Sequence, residues 1–146
     1  MRHPHVSLHY HFVWSTWDRA PRLTPILERR IHAAILARCE ALGVVPIAVG
    51  GTDDHIHLLV GAPATLAPAE IMKNVKGATS HLINHAFGLA ELFRWQGAYG
   101  VFAVSAERVL LVERYVLQQR ARHANGDLAP DWERTSCEPP PGSGEA

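Results

Sequence analysis

The segment DDHIHLLV, residues 53–60, carries two histidines one residue apart in an otherwise apolar run. In an extended strand, residues two apart point to the same face. His55 and His57 then project together, while Ile56, Leu58 and Val60 point to the other side. Two neutral imidazoles aimed at one point can share a metal ion, and a site with open positions needs only one or two further ligands. The same short pattern also occurs on exposed or dimer-facing sheet surfaces that bind nothing, and histidine is frequent in this chain, ten residues of 146. A third ligand and a nucleophile are therefore sought elsewhere. In ERYVLQQRARH, residues 113–123, helical spacing puts Tyr115 and Gln119 on one face, and likewise Gln119 and His123. A phenol beside a metal can attack phosphorus. With an ordinary pKa of about 10, only about a thousandth of a tyrosine is ionised at neutral pH, so it needs a polarised target or a nearby base. A bound cation meets the first need by withdrawing charge from a phosphate oxygen. Taken alone, the spacing of Tyr115 favours an amphipathic tyrosine half buried beneath its helix.

The elements that must position these residues follow from hydrophobic period and turn chemistry. VSLHYHFVWST (6–16) is rich in β-branched and aromatic residues and reads as a strand, ended by the region of Pro21 and Pro25. From Ile26 to Leu42, Leu27, Ile31, Ala34, Ile35 and Leu42 recur at helical spacing, and Gly43 supplies the stop. VVPIAVGG (44–51) and HIHLLVG (55–61) form a hairpin through a Gly-Thr-Asp-Asp turn. After APATLAP comes a second helix whose buried face is marked by Ile71, Val75, Ala78, Leu82 and Ile83. YGVFAVS (99–105) is a fourth strand, and Ser105 is placed to cap a third helix from about Ala106 to His123. The order strand, helix, hairpin, helix, strand predicts an α+β, ferredoxin-like βαββαβ fold, an antiparallel sheet with an additional C-terminal helix carrying the candidate nucleophile. Gly97 and Gly100, flanking the start of the fourth strand, offer a place for that helix to swing.

One domain over residues 1–123 and an acidic, Pro/Gly-rich tail over 124–146 account for the length. Neither a long apolar run nor a signal-peptide pattern appears, so the expectation is a cytoplasmic protein with no membrane partner. Cys39 and Cys137 have no metal-ligand spacing and read as reduced thiols. The 14 basic and 14 acidic residues cancel, but the tail holds Asp127, Asp131, Glu133, Glu138 and Glu145 against Arg134 alone. A tail of 1 − 5 = −4 leaves a body of 13 − 9 = +4, compatible with a polyanionic ligand and equally with ordinary solubility.

His55-Ile56-His57 within DDHIHLLV, HFVWSTWDRAPRLTP at the start, FRWQGAYGVFAVS before the last helix and YVLQQ inside it occur in order over residues 9 to about 123. Together they resemble the HUH single-tyrosine transposases of small bacterial insertion sequences and the REP-associated tyrosine transposases. The resemblance implies homodimers that cut and rejoin single-stranded DNA with hairpin ends. It makes His55, His57 and Gln119 the ligands of a divalent ion, Mg2+ or Mn2+, and Tyr115 the nucleophile. The attack would leave a 5′-phosphotyrosine link and a free 3′-hydroxyl, with no nucleotide cofactor. It also implies active sites shared between subunits, the histidines of one copy beside the tyrosine helix of the other. Two departures stand out: Arg122 and His123 where many relatives carry two histidines, and Ala103 where many carry a serine. Neither removes a predicted ligand.

For DNA contacts, Lys73 and Lys76 on the second helix, with Arg94, Arg120 and Arg122, are the candidates to neutralise phosphates, and Trp95 the candidate to stack on an unpaired base. Scattered basic residues also make ordinary solvated faces. An RNA-recognition module shares the element order, but its third strand would carry alternating aromatics where this chain has DHIHLLV. A histidine-triad nucleotide hydrolase would need a third histidine at Leu59. A domesticated relative that binds hairpin DNA without cutting is the remaining alternative.

Overall fold

A computed structural model of the chain describes residues 2–86 and 91–136; Cys137 and the EPPPGSGEA end lie outside them. The strands are β1 (His9–Ser15), β2 (Val45–Gly51), β3 (His55–Gly61) and β4 (Gly100–Val104). The helices are α1 (Pro25–Ala41), α2 (Pro68–Ala86), α3 (Val109–Leu117) and α4 (Gln119–Asn125). The four strands form one sheet in the order β2-β3-β1-β4, every pair antiparallel. This is the expected ferredoxin-like arrangement.

Local chemistry explains the element ends. The Thr24 hydroxyl accepts from the Leu27 amide at 3.3 Å, satisfying one of the orphan donors at the start of α1, and Pro25 needs no such partner. Gly43, at φ 72°, takes the left-handed conformation that stops the helix. Leu27, Ile31, Ile35 and Cys39 from α1 and Ile71, Met72, Val75 and Ile83 from α2 are buried, with Ala34, Ala78 and Leu82 half-buried beside them. They cover one face of the sheet, where Phe12 and Trp14 of β1 alternate into the same core as Ile56, Leu58 and Val60 of β3.

The opposite face carries a smaller apolar cluster, Ala48, Leu59, Val112 and Val116, beneath α3. Two expectations need correction here. Ser105 makes no side-chain cap; a single 3-10 turn over Ala106–Arg108 follows it, and α3 starts at Val109. The predicted continuous helix to His123 is broken at Gln118, whose φ −102° and ψ 19° separate α3 from α4. The cause lies next door. The Gln119 side-chain amide donates at 3.0 Å to the Tyr115 carbonyl, the acceptor that a regular helix would give to the Gln119 backbone N–H. Beyond α4, Gly126 at φ 68° turns the chain back, and a short 3-10 turn over Pro130–Glu133 returns toward the sheet.

Candidate active site

The register of β1 and β3 places Val13 opposite His57 and Ser15 opposite His55. His11, His55 and His57 therefore share the face that α3 covers. The helix comes close because Gly50, opposite His57 on β2, has no side chain: a Cβ built there would overlap the Val116 carbonyl. That approach buries Tyr115 to 2% exposure and Gln119 to 1%. The Tyr115 and His57 rings meet edge to face with centroids 5.8 Å apart. All four residues singled out for chemistry, His55, His57, Tyr115 and Gln119, thus converge within one chain.

The polar contacts are ordered. His55 Nδ1 lies 2.8 Å from Asp54 Oδ1 and 2.8 Å from the Thr52 hydroxyl. A carboxylate can only accept, so a proton sits on Nδ1, and Nε2 turns inward. There it meets Gln119 Oε1 at 3.2 Å, whose orientation is set by the amide's donation to Tyr115. Glu133 Oε2 is 3.7 Å from the same nitrogen and 2.9 Å from His57 Nε2. His57 Nδ1 is in turn held by His11 Nε2 at 2.7 Å. The ligand atoms of His55, His57 and Glu133 lie within 4.8 Å of one another. The phenol of Tyr115 donates to Glu133 Oε1 at 2.6 Å and accepts from the Ala129 N–H at 3.1 Å. His123 Nε2 closes the ring at 3.0 Å from Gln119 Oε1.

Burial, reinforced by the neighbouring carboxylate, pushes the Tyr115 phenol up to about 12. Burial alone would also raise Glu133, but the hydrogen bond and charge of His57 outweigh it and hold that carboxyl down to about 2. His11 falls to about 3, mainly by burial and then by repulsion from His57. Burial also lowers His57 and His123. Glu133 is therefore held as a carboxylate and Tyr115 as a protonated phenol, beside imidazoles at His11, His57 and His123 that burial pushes toward their neutral form. Imidazole nitrogens, a carboxylate and an amide oxygen converge on one point, and that donor set suits a divalent ion. Asp54 and His11 behind the two histidines are the outer partners that such ligands commonly have.

The candidate DNA contacts fare unevenly. Trp95 is corrected: its indole is 8% exposed, packs edge-on against Trp14 and Phe93, and donates to the Thr79 hydroxyl at 2.9 Å, so no face is open to a base. Lys76 gives its ammonium to the carbonyls of Gln96 and Gly97 at 2.6 and 3.2 Å. Arg120 is ion-paired with Glu28. Lys73 is exposed, but α2 lies on the far side of the sheet from the histidines. Arg122 sits with its guanidinium 4.9 Å from the centre of the Tyr115 ring while it pairs with Asp127 at 3.3 Å and donates to Gln118 Oε1 at 3.2 Å, and Arg94 is exposed with its guanidinium over Trp17. Of the swing glycines, Gly100 packs against the Arg134 carbonyl, where a Cβ would overlap it, and so seats the returning segment.

Glu133 is the residue that sequence reasoning missed, hidden among the acids of a segment read as a tail. His11 was missed too, although HYH at residues 9–11 repeats the alternation of the later pair.

The chain matches the profile of the family described as "Transposase IS200 like" over residues 5–119. No curated protein matches. A candidate transposase from Deinococcus radiodurans R1 is similar at TM-score 0.66 and 23% identity, over 80% of this chain and 93% of that one. A REP-associated tyrosine transposase bound to a REP hairpin is similar at TM-score 0.63 and 16% identity, over 84% and 73%. At these identities the solved structures show a common fold. Among the described residues, no helix is long and apolar enough to cross a membrane.

Proposed function

Because the chain belongs to the IS200-like transposase family, we propose that it cleaves and rejoins single-stranded DNA through a 5′-phosphotyrosine on Tyr115, with a divalent ion, magnesium or manganese, bound at the histidine pair. The observation that carries this reading is the convergence of potential ligands: His55 Nε2 and Gln119 Oε1 meet at 3.2 Å, with Glu133 and His57 alongside and a phenol 2.6 Å from the same carboxylate. His55, His57 and Glu133 would hold the ion, with the Gln119 amide oxygen beside them. Bound there, it would draw charge from a phosphate oxygen and make phosphorus a better target.

The protein's own residues do the rest. Tyr115 is fixed by two hydrogen bonds, so its oxygen is positioned rather than activated; a phenol held at about 12 keeps its proton until attack is under way. As the oxygen bonds to phosphorus, the phenolic proton passes to Glu133; the P–O3′ bond breaks, and the 3′-oxygen leaves with the bonding pair and takes that proton to become the free 3′-hydroxyl. Arg122, over the phenol ring, is placed to meet the charge on the phosphate. Rejoining is the reverse, with a different 3′-hydroxyl displacing the tyrosine. Two phosphodiesters of similar energy are exchanged, so no nucleotide cofactor is required.

The solved relative named as bound to a REP hairpin supports a hairpin-ended DNA as partner. Homodimerisation belongs to the same proposal; in the single chain described, the tyrosine helix over these histidines is the chain's own.

The test is to incubate the chain with single-stranded DNA from the flanks of its own gene and magnesium or manganese. A protein band shifted by covalently attached DNA is expected, absent in Tyr115→Phe although that variant still binds DNA. An adduct that persists in Tyr115→Phe would refute the role of Tyr115.

A further inference from the structure

The turn after β1 has a feature that the catalytic reading does not use. Asp18 (φ 57°, ψ 24°) and Arg19 (φ 54°) are consecutive non-glycine residues in the left-handed region, a conformation that L side chains resist. The surroundings enforce it. The Thr16 N–H donates to Asp54 O at 2.9 Å, the Thr16 hydroxyl to Ala20 O at 2.7 Å, and the Trp17 N–H to Arg94 O at 3.0 Å. The consequence is a tryptophan held out of the core: Trp17 is 48% exposed, whereas Trp14 and Trp95 nearby are 0% and 8%. Arg94 lays its guanidinium 4.3 Å from the centre of the Trp17 ring and makes no ion pair with any described residue. Arg19, half exposed, sits 3.6 Å from Asp54, the carboxylate that holds His55.

We propose that Trp17, flanked by Arg94 and Arg19, binds one unpaired nucleotide of the DNA strand that enters the candidate active site. This rests on the transposase reading and extends it to how the strand is gripped. An indole braced on one side by a guanidinium leaves its remaining surface for a nucleobase to stack on, and stacking needs the base to be unpaired. The two guanidiniums supply charge for the phosphates on either side of that base. Arg19, two residues beyond Trp17 in the same turn, pairs with Asp54, which holds His55, and this puts the subsite beside the histidine cluster. It also moves the stacking role from Trp95, which is buried, to the tryptophan that a strained turn keeps outside.

The test uses the full chain carrying Tyr115→Phe, with magnesium, so that no strand is cut. The probe is a dT oligonucleotide with a single 2-aminopurine moved position by position. Quenching at one position is expected, and Trp17→Ala should weaken single-strand binding by about tenfold or more while changing affinity for duplex DNA of equal length less than twofold. Trp17→Phe should recover most of the loss. If Trp17→Ala lowers the melting temperature, Arg94→Gln serves instead, with a selective loss of a few fold expected. Unchanged single-strand affinity, or equal loss on both DNAs, overturns the proposal. Failure of the catalytic reading would be seen separately, as no covalent adduct with Tyr115 present.

Discussion

The two faces of β1 and β3 are made by alternate residues of the same strands and could hardly differ more. Toward α1 and α2 run Phe12, Trp14, Ile56, Leu58 and Val60, each fully buried. Toward α3 run His11, His55 and His57, also buried, to 0–1% exposure. One face encloses apolar surface, at roughly 1.5–3 kcal/mol of stabilisation per large side chain. The other encloses imidazoles, an amide, a phenol and a carboxylate, which are costly to bury unless every polar atom is paired. Among the described residues, His11 Nδ1 has no hydrogen-bond partner. A sheet that needed only stability would repeat the first face on both sides. The second gives up stability where the proposed chemistry would take place.

The sharpest way to break this contrast is to mutate neighbours that point apart. His57→Ala should lower single-turnover DNA cleavage by about a thousandfold, roughly 4 kcal/mol in the barrier, with little loss of melting temperature. Leu58→Ala should do the reverse, costing about 2–5 kcal/mol of stability with cleavage per folded molecule unchanged. If both variants behaved alike, the faces would not be functionally distinct. Next in size is Gly50→Ala, which leaves every reactive group in place and pushes α3 off β2. A misplacement of about 1 Å costs on the order of a hundredfold in rate, so cleavage should fall much further than stability; equal rates would show that the close approach is dispensable.

The smallest effect is on pH dependence, measured in chelator. His11 has its folded pKa depressed from 6.5 to about 3, so between those values the unfolded chain binds more protons than the folded one. Stability is then complete above 6.5 and declines as pH falls toward 3, by at most ~1.4 kcal/mol per pH unit from this group. His11→Phe should flatten that limb in thermal melts; an unchanged slope would mean that other groups set it.

Much of this was legible in the sequence because period and turn chemistry are local. The alternation in DDHIHLLV separated the faces of β3 correctly, and the spacing of Tyr115 and Gln119 put them together even though the helix breaks between them. What was not legible depends on long-range partners. Whether His9 or His11 joins the histidine pair depends on the β1–β3 register, which opposes Val13 to His57. Glu133 had only its charge to mark it, and an acid in a Pro/Gly-rich segment reads as solvent until Gly126 turns the chain back. Trp95 and Trp17 were indistinguishable by residue type; the hydrogen bond to Thr79 and the strained turn at Asp18 decide which one is buried. No glycine or proline forecasts the break at Gln118, because the cause is a side-chain amide capturing a backbone carbonyl.

The central claim is that His55, His57, Gln119 and Glu133 together hold one divalent ion. Manganese titration followed by electron paramagnetic resonance tests it most directly. One ion per chain is predicted, with hyperfine coupling to two imidazole nitrogens, one of which disappears in His57→Ala. Stoichiometric binding without nitrogen coupling, or a spectrum and affinity unchanged by His57→Ala, would contradict it.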